Sequence, residues 1–315
     1  MTIPTIDANV YQAAHETAVL TNFPNLNLLK FSGETRLDLL NRMSTQAVLD
    51  LKAGEGAATI LTTDVGRIID RLILYVASQD VYALTGDNHA DNIARYLLHF
   101  VFFNDDFHIE NISAQWPGFG VYGPQAGAKL ADAGFPVTDL PLHHWREDEI
   151  AGVETYLHAR DPIAGGGYLI LCAAKGRDVL WQHLVDSGLF VADAEAYETL
   201  RIEAGHPRFG HELTQNYIPL EANLWDDVSF NKGCYIGQEI IARLESRNRL
   251  AKKLVKLMPT ASVAAGSQLT ANGKNAGTLT SVAQTPHGFV ALGYVKTAVL
   301  EAGSELVVGE TAVHL

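Results

Sequence analysis

The run Phe230-Asn231-Lys232-Gly233-Cys234-Tyr235-Ile236-Gly237-Gln238-Glu239 sets one of the chain's two cysteines between a lysine and the start of a predicted helix. A free thiol is only about 3% ionised at pH 7, and both a nearby ammonium and a helix N-terminus raise that fraction. Lys232 and a helix over 237–246 would supply both, which makes Cys234 a candidate catalytic thiol with Lys232 as its electrostatic tuner. The same spacing also suits a small buried residue in a tight Gly-X-X-X-Gly turn, and the residues alone leave both readings open. Directly downstream, Arg243, Arg247, Arg249, Lys252, Lys253 and Lys256 share a stretch with a single acid, Glu245. Such a stripe serves either an anionic ligand or a plain solvated surface.

Those residues need a framework, and 315 residues with 47% hydrophobic content are enough for a large core and two or three domains. No window approaches 18 continuous apolar residues, and residues 1–10 lack the basic and apolar regions of a secretory leader. A cytoplasmic protein is therefore expected, or a mitochondrial matrix protein if the source is eukaryotic and the chain is processed. Cys172 and Cys234 lie far apart, so the chain's own cysteines build neither a disulfide framework nor a four-thiolate metal or iron–sulfur site. A net charge of −13 argues against nucleic acid as a partner.

Hydrophobic periodicity gives a strand over 27–31, then Ser32-Gly33, then a helix over 34–43 with Leu37, Leu39 and Leu40 inward. The same strand, glycine, helix order returns at 120–130, which suggests two related α+β units. Between them, segments 57–63 and 67–77 flank Asp64-Val65-Gly66 as a hairpin, 81–85 adds a strand, and 88–103 reads as a long apolar helix. The pattern loosens past Gly134 through Pro136, Pro141 and Pro162, and resumes with a strand at 168–173 and helices at 176–187 and 194–204. From Lys252 onward, short alternating stretches (254–257, 276–283, 289–295, 305–308) are punctuated by Asn272-Gly273 and Pro286-His287-Gly288. They predict a small C-terminal β-barrel.

Several motifs carry less than their pattern suggests. Gly118-Phe119-Gly120-Val121-Tyr122-Gly123 matches the dinucleotide fingerprint, yet Phe119, Val121 and Tyr122 read as the strand itself and Pro124 as the helix start. Gly165-Gly166-Gly167 lacks the Gly-Lys-Ser/Thr ending of a phosphate loop. His143-His144 and the pair His206 and His211 lack metal-motif spacing, and no Gly-X-Ser-X-Gly is present. No metal site is expected.

Reading outward from the cysteine, Leu200-Arg201-Ile202-Glu203-Ala204-Gly205-His206-Pro207, Ile218-Pro219-Leu220-Glu221-Ala222-Asn223-Leu224 and Val228 through Glu239 closely resemble the YgfZ-type folate-binding proteins. These are relatives of the aminomethyltransferase (T-protein) of glycine cleavage. The resemblance implies an α+β fold: two ferredoxin-like α+β subdomains over 1–250 that jointly cradle tetrahydrofolate or a one-carbon derivative. A β-barrel over 251–315 would close the ring. It further implies a role in iron–sulfur cluster assembly or repair, with cluster-assembly or client proteins as partners and no membrane. The T-protein pattern Arg-X-Glu-Ala-Gly falls on Arg201 and Glu203, making Glu203 the expected pterin ligand, since one carboxylate can accept from a pterin's adjacent donors. T-proteins carry two adjacent aspartates where this chain has Asp70 and Arg71. Asp70 is thus the expected acid/base, and the cation at Arg71 speaks against unmodified aminomethyl transfer. Arg243 and Arg247, four apart on one helix, are expected to meet the anionic glutamate tail of the folate.

Three functions follow as expectations. The first is a tetrahydrofolate-binding accessory protein for iron–sulfur clusters, with Cys234 as its functional thiol. The second is a tetrahydrofolate-dependent aminomethyltransferase or demethylase with Asp70 as acid/base. The third is a folate-binding scaffold without chemistry.

Overall fold

The computed structural model describes residues 3–247 and 249–315; Met1 and Thr2, within the stretch read for a leader, lie outside the described residues. Two sheets and a barrel make up the molecule. The first sheet is antiparallel throughout, in the order Gly56–Thr62, Ile68–Val76, Val81–Thr85, Asn27–Ser32, His108–Asn111. The second runs Phe190–Ala192, Val19–Phe23, Gly118–Tyr122, Gly166–Cys172, Val153–Ile163, Trp145–Ile150, with only the Phe190–Ala192 edge parallel to its neighbour.

Strand alternation explains how the two sheets stack. Along Ile68–Val76, Leu72, Leu74 and Val76 face helices Arg36–Met43 and Ala90–Leu98, packing with Leu39, Leu40 and Ile93. Ile73 and Tyr75 face the other way and meet Trp145, Leu169 and Leu171 of the second sheet. Helices Ala126–Asp132 and Arg177–Asp186 cover the far face of that second sheet through Leu130, Leu180 and Leu184. The result is a helix–sheet–sheet–helix stack. By the same alternation Asp70 falls on the helix face and Arg71 on the face toward the second sheet.

The repeated strand, glycine, helix order is real and has a shared cause. Gly33 (φ 97°) and Gly123 (φ 123°) both turn in the left-handed region, and a Cβ would sit 2.2 Å from Asp106 O at the first and 2.6 Å from Thr17 O at the second. The fingerprint glycines Gly118 and Gly120 lie inside the strand Gly118–Tyr122, so no dinucleotide turn is formed.

The last strands close a six-stranded barrel: Lys252–Pro259, Gly288–Lys296, Lys274–Thr285, Gln268–Ala271, Leu306–Val308 and Thr311–His314, the last pairing back to the first. Asn272 and Gly273 both take positive φ (50° and 72°), as a two-residue hairpin turn requires. Helix Ala194–Ala204, capped by Asp193 and ended by left-handed Gly205, packs against this barrel.

Two expectations change. The helix expected over 88–103 spans Ala90–Leu98 only, because Phe102 and Asp105 close a turn on each other; Phe102 and Phe103 stand exposed. Segments read as loose, 145–150 and 153–163, form a strand pair. The first is an acidic edge strand and the second runs through Pro162, which hides both from pattern reading.

Candidate functional site

Strand Val81–Thr85 stops short of its partner: pairing with Ile68–Val76 ends at Ile73 and Leu84. Beyond that point the chain turns at Gly86, packed so closely under Phe209 that a Cβ would lie 2.4 Å from its ring. The gap opens a cavity of about 220 Å³. Asp70, Arg71, Arg160, Arg201 and Arg208 line it, with Phe23, Tyr197 and Phe209 as aromatic walls.

Asp70 is fully buried. Its Oδ1 accepts from Arg71 N at 2.8 Å; its Oδ2 accepts from Gly86 N at 2.9 Å and lies 3.0 Å from His89 Nδ1. Burial raises its carboxyl above the ordinary range even though His89 and the two amides pull the other way. His89 stacks on Phe209 with centroids 4.1 Å apart, which fixes the imidazole plane. A carboxyl of raised pKa, held in one rotamer at a cavity wall, is suited to take and return a proton.

Arg71 does not present a bare charge beside it. Its Nε donates to Asp227 Oδ2 at 2.6 Å and its Nη1 to Asp161 Oδ2 at 3.1 Å. Burial pushes the Asp161 carboxyl up, but Arg71, His143 and Arg160 outweigh it and hold it at about 2. The cation set against acid/base chemistry in the sequence is thus neutralised in place.

Arg201 is buried as a frame. It bonds Glu198, Glu212 Oε2 (2.8 Å) and Ser281 Oγ (2.8 Å), and Glu212 Oε1 accepts from the same Ser281 hydroxyl at 2.6 Å. This network joins helix Ala194–Ala204 to the barrel. Arg208 pairs with Glu198 and Asp87 at the cavity rim.

The other expected residues do not line this cavity. Glu203, two residues along from Arg201, accepts from Tyr11 Oη at 2.5 Å and pairs with His15 Nε2 at 3.2 Å. Lys232 donates to Asn41 O, Ser44 O and Gln46 O at 2.6, 2.8 and 2.7 Å. All three ammonium donors are therefore spent at the end of helix Arg36–Met43, and Lys232 is a loop anchor. Burial draws its ammonium down to about 8. Cys234 is exposed, in a loop ahead of helix Gln238–Arg247. Arg243 pairs with Glu239 at 2.7 Å on that helix, and Lys252 stacks 4.4 Å above the Tyr217 ring. Among the described residues no group of three or more His, Cys, Asp and Glu side chains is placed to hold a metal ion.

Sequence reasoning missed His89, Arg160, Asp161, Arg208 and Asp227. Nothing in their spacing announces them; only the strand end at Gly86 and the sheet stacking bring them together.

Residues 5–232 match the family model described as the GCVT N-terminal domain, and the chain belongs to that family. It is 27% identical over 307 residues, 96% of this chain and 71% of the relative, to a chloroplastic protein of Arabidopsis thaliana named as a transferase. With an aminomethyltransferase of Bacillus subtilis it shares 27% identity over 288 residues, 88% of this chain and 78% of that one. The structure of the glycine cleavage system aminomethyltransferase T from Bartonella henselae superposes with a TM-score of 0.85 at 23% identity, covering 97% of this chain and 86% of that one, which shows a common fold.

Proposed function

We propose that the chain binds tetrahydrofolate, or a one-carbon derivative of it, in the Asp70 cavity and serves iron–sulfur cluster assembly or repair. The cavity carries the first part. Phe23, Tyr197 and Phe209 give flat apolar walls for a pterin, and the Asp70 carboxyl is an acceptor for its donors. When bound, the folate supplies a nitrogen that carries the one-carbon unit; Asp70, kept in register by Gly86 and His89, holds or moves the proton at that nitrogen. On this reading residues 1–250 form two ferredoxin-like units around the folate, and 251–315 close the ring through the Arg201, Glu212 and Ser281 network. Glu203 would serve as a pterin ligand only by exchanging Tyr11 and His15 for it, and Arg243 and Arg247 would meet a glutamate tail outside the cavity.

The exposed Cys234 in its Lys-Gly-Cys-Tyr loop supports the iron–sulfur role, because a thiol anchored at the surface is available to a partner protein. A cytoplasmic setting is part of the proposal. Cys234→Ser is expected to lower cluster-enzyme activities in the host while leaving folate affinity unchanged; intact activities would sink the thiol's role.

A second reading, a tetrahydrofolate-dependent aminomethyltransferase or demethylase, is favoured by the raised Asp70 carboxyl beside a neutralised Arg71. Formation of methylene-tetrahydrofolate from an amine donor, abolished in Asp70→Asn, separates it from the first.

A further inference from the structure

Every cationic side chain lining the cavity has its counterions except one. Arg71 holds Asp161 and Asp227, Arg201 holds Glu198 and Glu212, and Arg208 holds Glu198 and Asp87. Arg160, on strand Val153–Ile163, forms no ion pair or side-chain hydrogen bond among the described residues, and its Nε is buried without a partner. Its sequence neighbour Asp161 gives its Oδ2 to Arg71.

Asp161 acts on Arg160 through space only, its ion pair being made with Arg71, and the other groups around Arg160 supply no carboxylate. Tyr75, Tyr122 and Tyr197 are all pushed upward by burial and stay neutral, and the Tyr75 hydroxyl is itself buried without a partner. Burial lowers His143, His158 and His206, so they add no charge at neutral pH. Among the described residues the guanidinium has no aromatic face stacked against it of the kind Arg177 finds on Phe119. Arg160 is half-buried, with only its Nε fully enclosed and the rest of the fork open to the cavity; a guanidinium held without a counterion in such a wall is costly, and a ligand entering the cavity would complete it. Its planar fork of donors matches a carboxylate in two-point fashion.

We propose that Arg160 is a carboxylate-binding residue, receiving the carboxylate of a small ligand that shares the cavity with the folate. The inference deepens the folate reading by assigning a second ligand class to the same site. A folate's own glutamate carboxylates are the other source of this chemistry, and the test separates the two.

Wild type, Arg160→Gln and Arg160→Lys are titrated calorimetrically with acetate, glycine and methylamine, and separately with tetrahydrofolate and tetrahydropteroate, which lacks the glutamate. The expected result is that wild type binds acetate and glycine but not methylamine. Arg160→Gln weakens both carboxylates about tenfold or more, the loss of one charge-assisted pair, and Arg160→Lys recovers part of it. Tetrahydrofolate affinity stays within about twofold in both variants. Melting of ligand-free Arg160→Gln at or above the wild-type temperature is also expected, since an unpaired charge is removed. Carboxylate binding that is absent in wild type or unchanged in Arg160→Gln overturns the proposal. A loss confined to tetrahydrofolate, with tetrahydropteroate unaffected, assigns Arg160 to the glutamate tail and overturns it too. Absent folate binding with Arg160-dependent carboxylate binding would defeat the folate reading and leave this one standing.

Discussion

Arg71 and Asp227 meet at two points, Nε to Oδ2 at 2.6 Å and Nη2 to Oδ1 at 3.3 Å. That pair ties strand Ile68–Val76 to the loop leading into the cysteine motif, while the remaining Nη1 reaches Asp161 on the second sheet. One side chain therefore joins both sheets and the loop. Both its carboxylates are largely buried, so removing the cation strands two charges. Arg71→Met is expected to cost about 3 kcal/mol or more in urea unfolding. Adding Asp227→Asn should recover part of that loss, and a cost under about 1 kcal/mol for the single variant would contradict the clamp.

The two thiols differ in what surrounds them. Cys172 is fully buried, its thiol pushed up to about 11 by burial, whereas Cys234 is exposed. Native protein is expected to yield one reactive thiol per chain with a disulfide reagent, lost in Cys234→Ser, and two after denaturation. Two fast-reacting thiols in the native state would show the Cys172 layer to be open.

Stability is expected to fall as the medium is acidified, beginning well above the carboxylate range. Burial holds His143 at about 4 and His158 well below its ordinary value, while both titrate near 6.5 when unfolded. Between pH 6.5 and about 4 the unfolded chain binds protons that the folded chain does not, so the folded state loses stability as pH drops. For His143 the full loss is on the order of 3 kcal/mol. Asp161, held at about 2, adds a further loss below about pH 4 as the unfolded carboxylate is protonated first. Asp70, raised in the folded protein, works in the opposite direction, so the test is a comparison: the urea-midpoint slope from pH 7 to 4 should be shallower in His143→Gln than in wild type, and equal slopes would contradict the burial of that ring.

Much of the framework was legible because it rests on local signals. The strand–glycine–helix repeat follows from Gly33 and Gly123, and the barrel from alternation and Asn272-Gly273; helix Ala194–Ala204 lies where the pattern placed it. The site was less legible. Asp70, Arg71 and Arg201 do line one cavity, but Lys232 turns to helix-end carbonyls and away from a tuning role, because a lysine's reach depends on which carbonyls lie unpaired nearby. His89, Asp161 and Asp227 come from three separate elements, and only long-range sheet stacking brings them to Asp70 and Arg71. Acidic 145–150 and proline-bearing 153–163 hid the strand pair that carries Arg160 and Asp161.

His89 offers a separate check on the proposed proton handling. His89→Phe keeps the stack on Phe209 while removing the Nδ1 contact that favours ionised Asp70. The Asp70 carboxyl should then titrate higher still. If the transferase reading holds, the rising limb of the pH–rate profile moves to higher pH with little change in tetrahydrofolate affinity. An unmoved limb would remove His89 from the account.

The most direct test is calorimetric titration of wild type and Ala194→Trp with tetrahydrofolate. Ala194 is exposed at the cavity rim, at the first turn of helix Ala194–Ala204, so an indole there should fill the mouth without touching the core. Binding in wild type that is lost in Ala194→Trp, at equal melting temperature, is the predicted result. Tetrahydrofolate bound equally by both would place the folate elsewhere and contradict the assignment of this cavity.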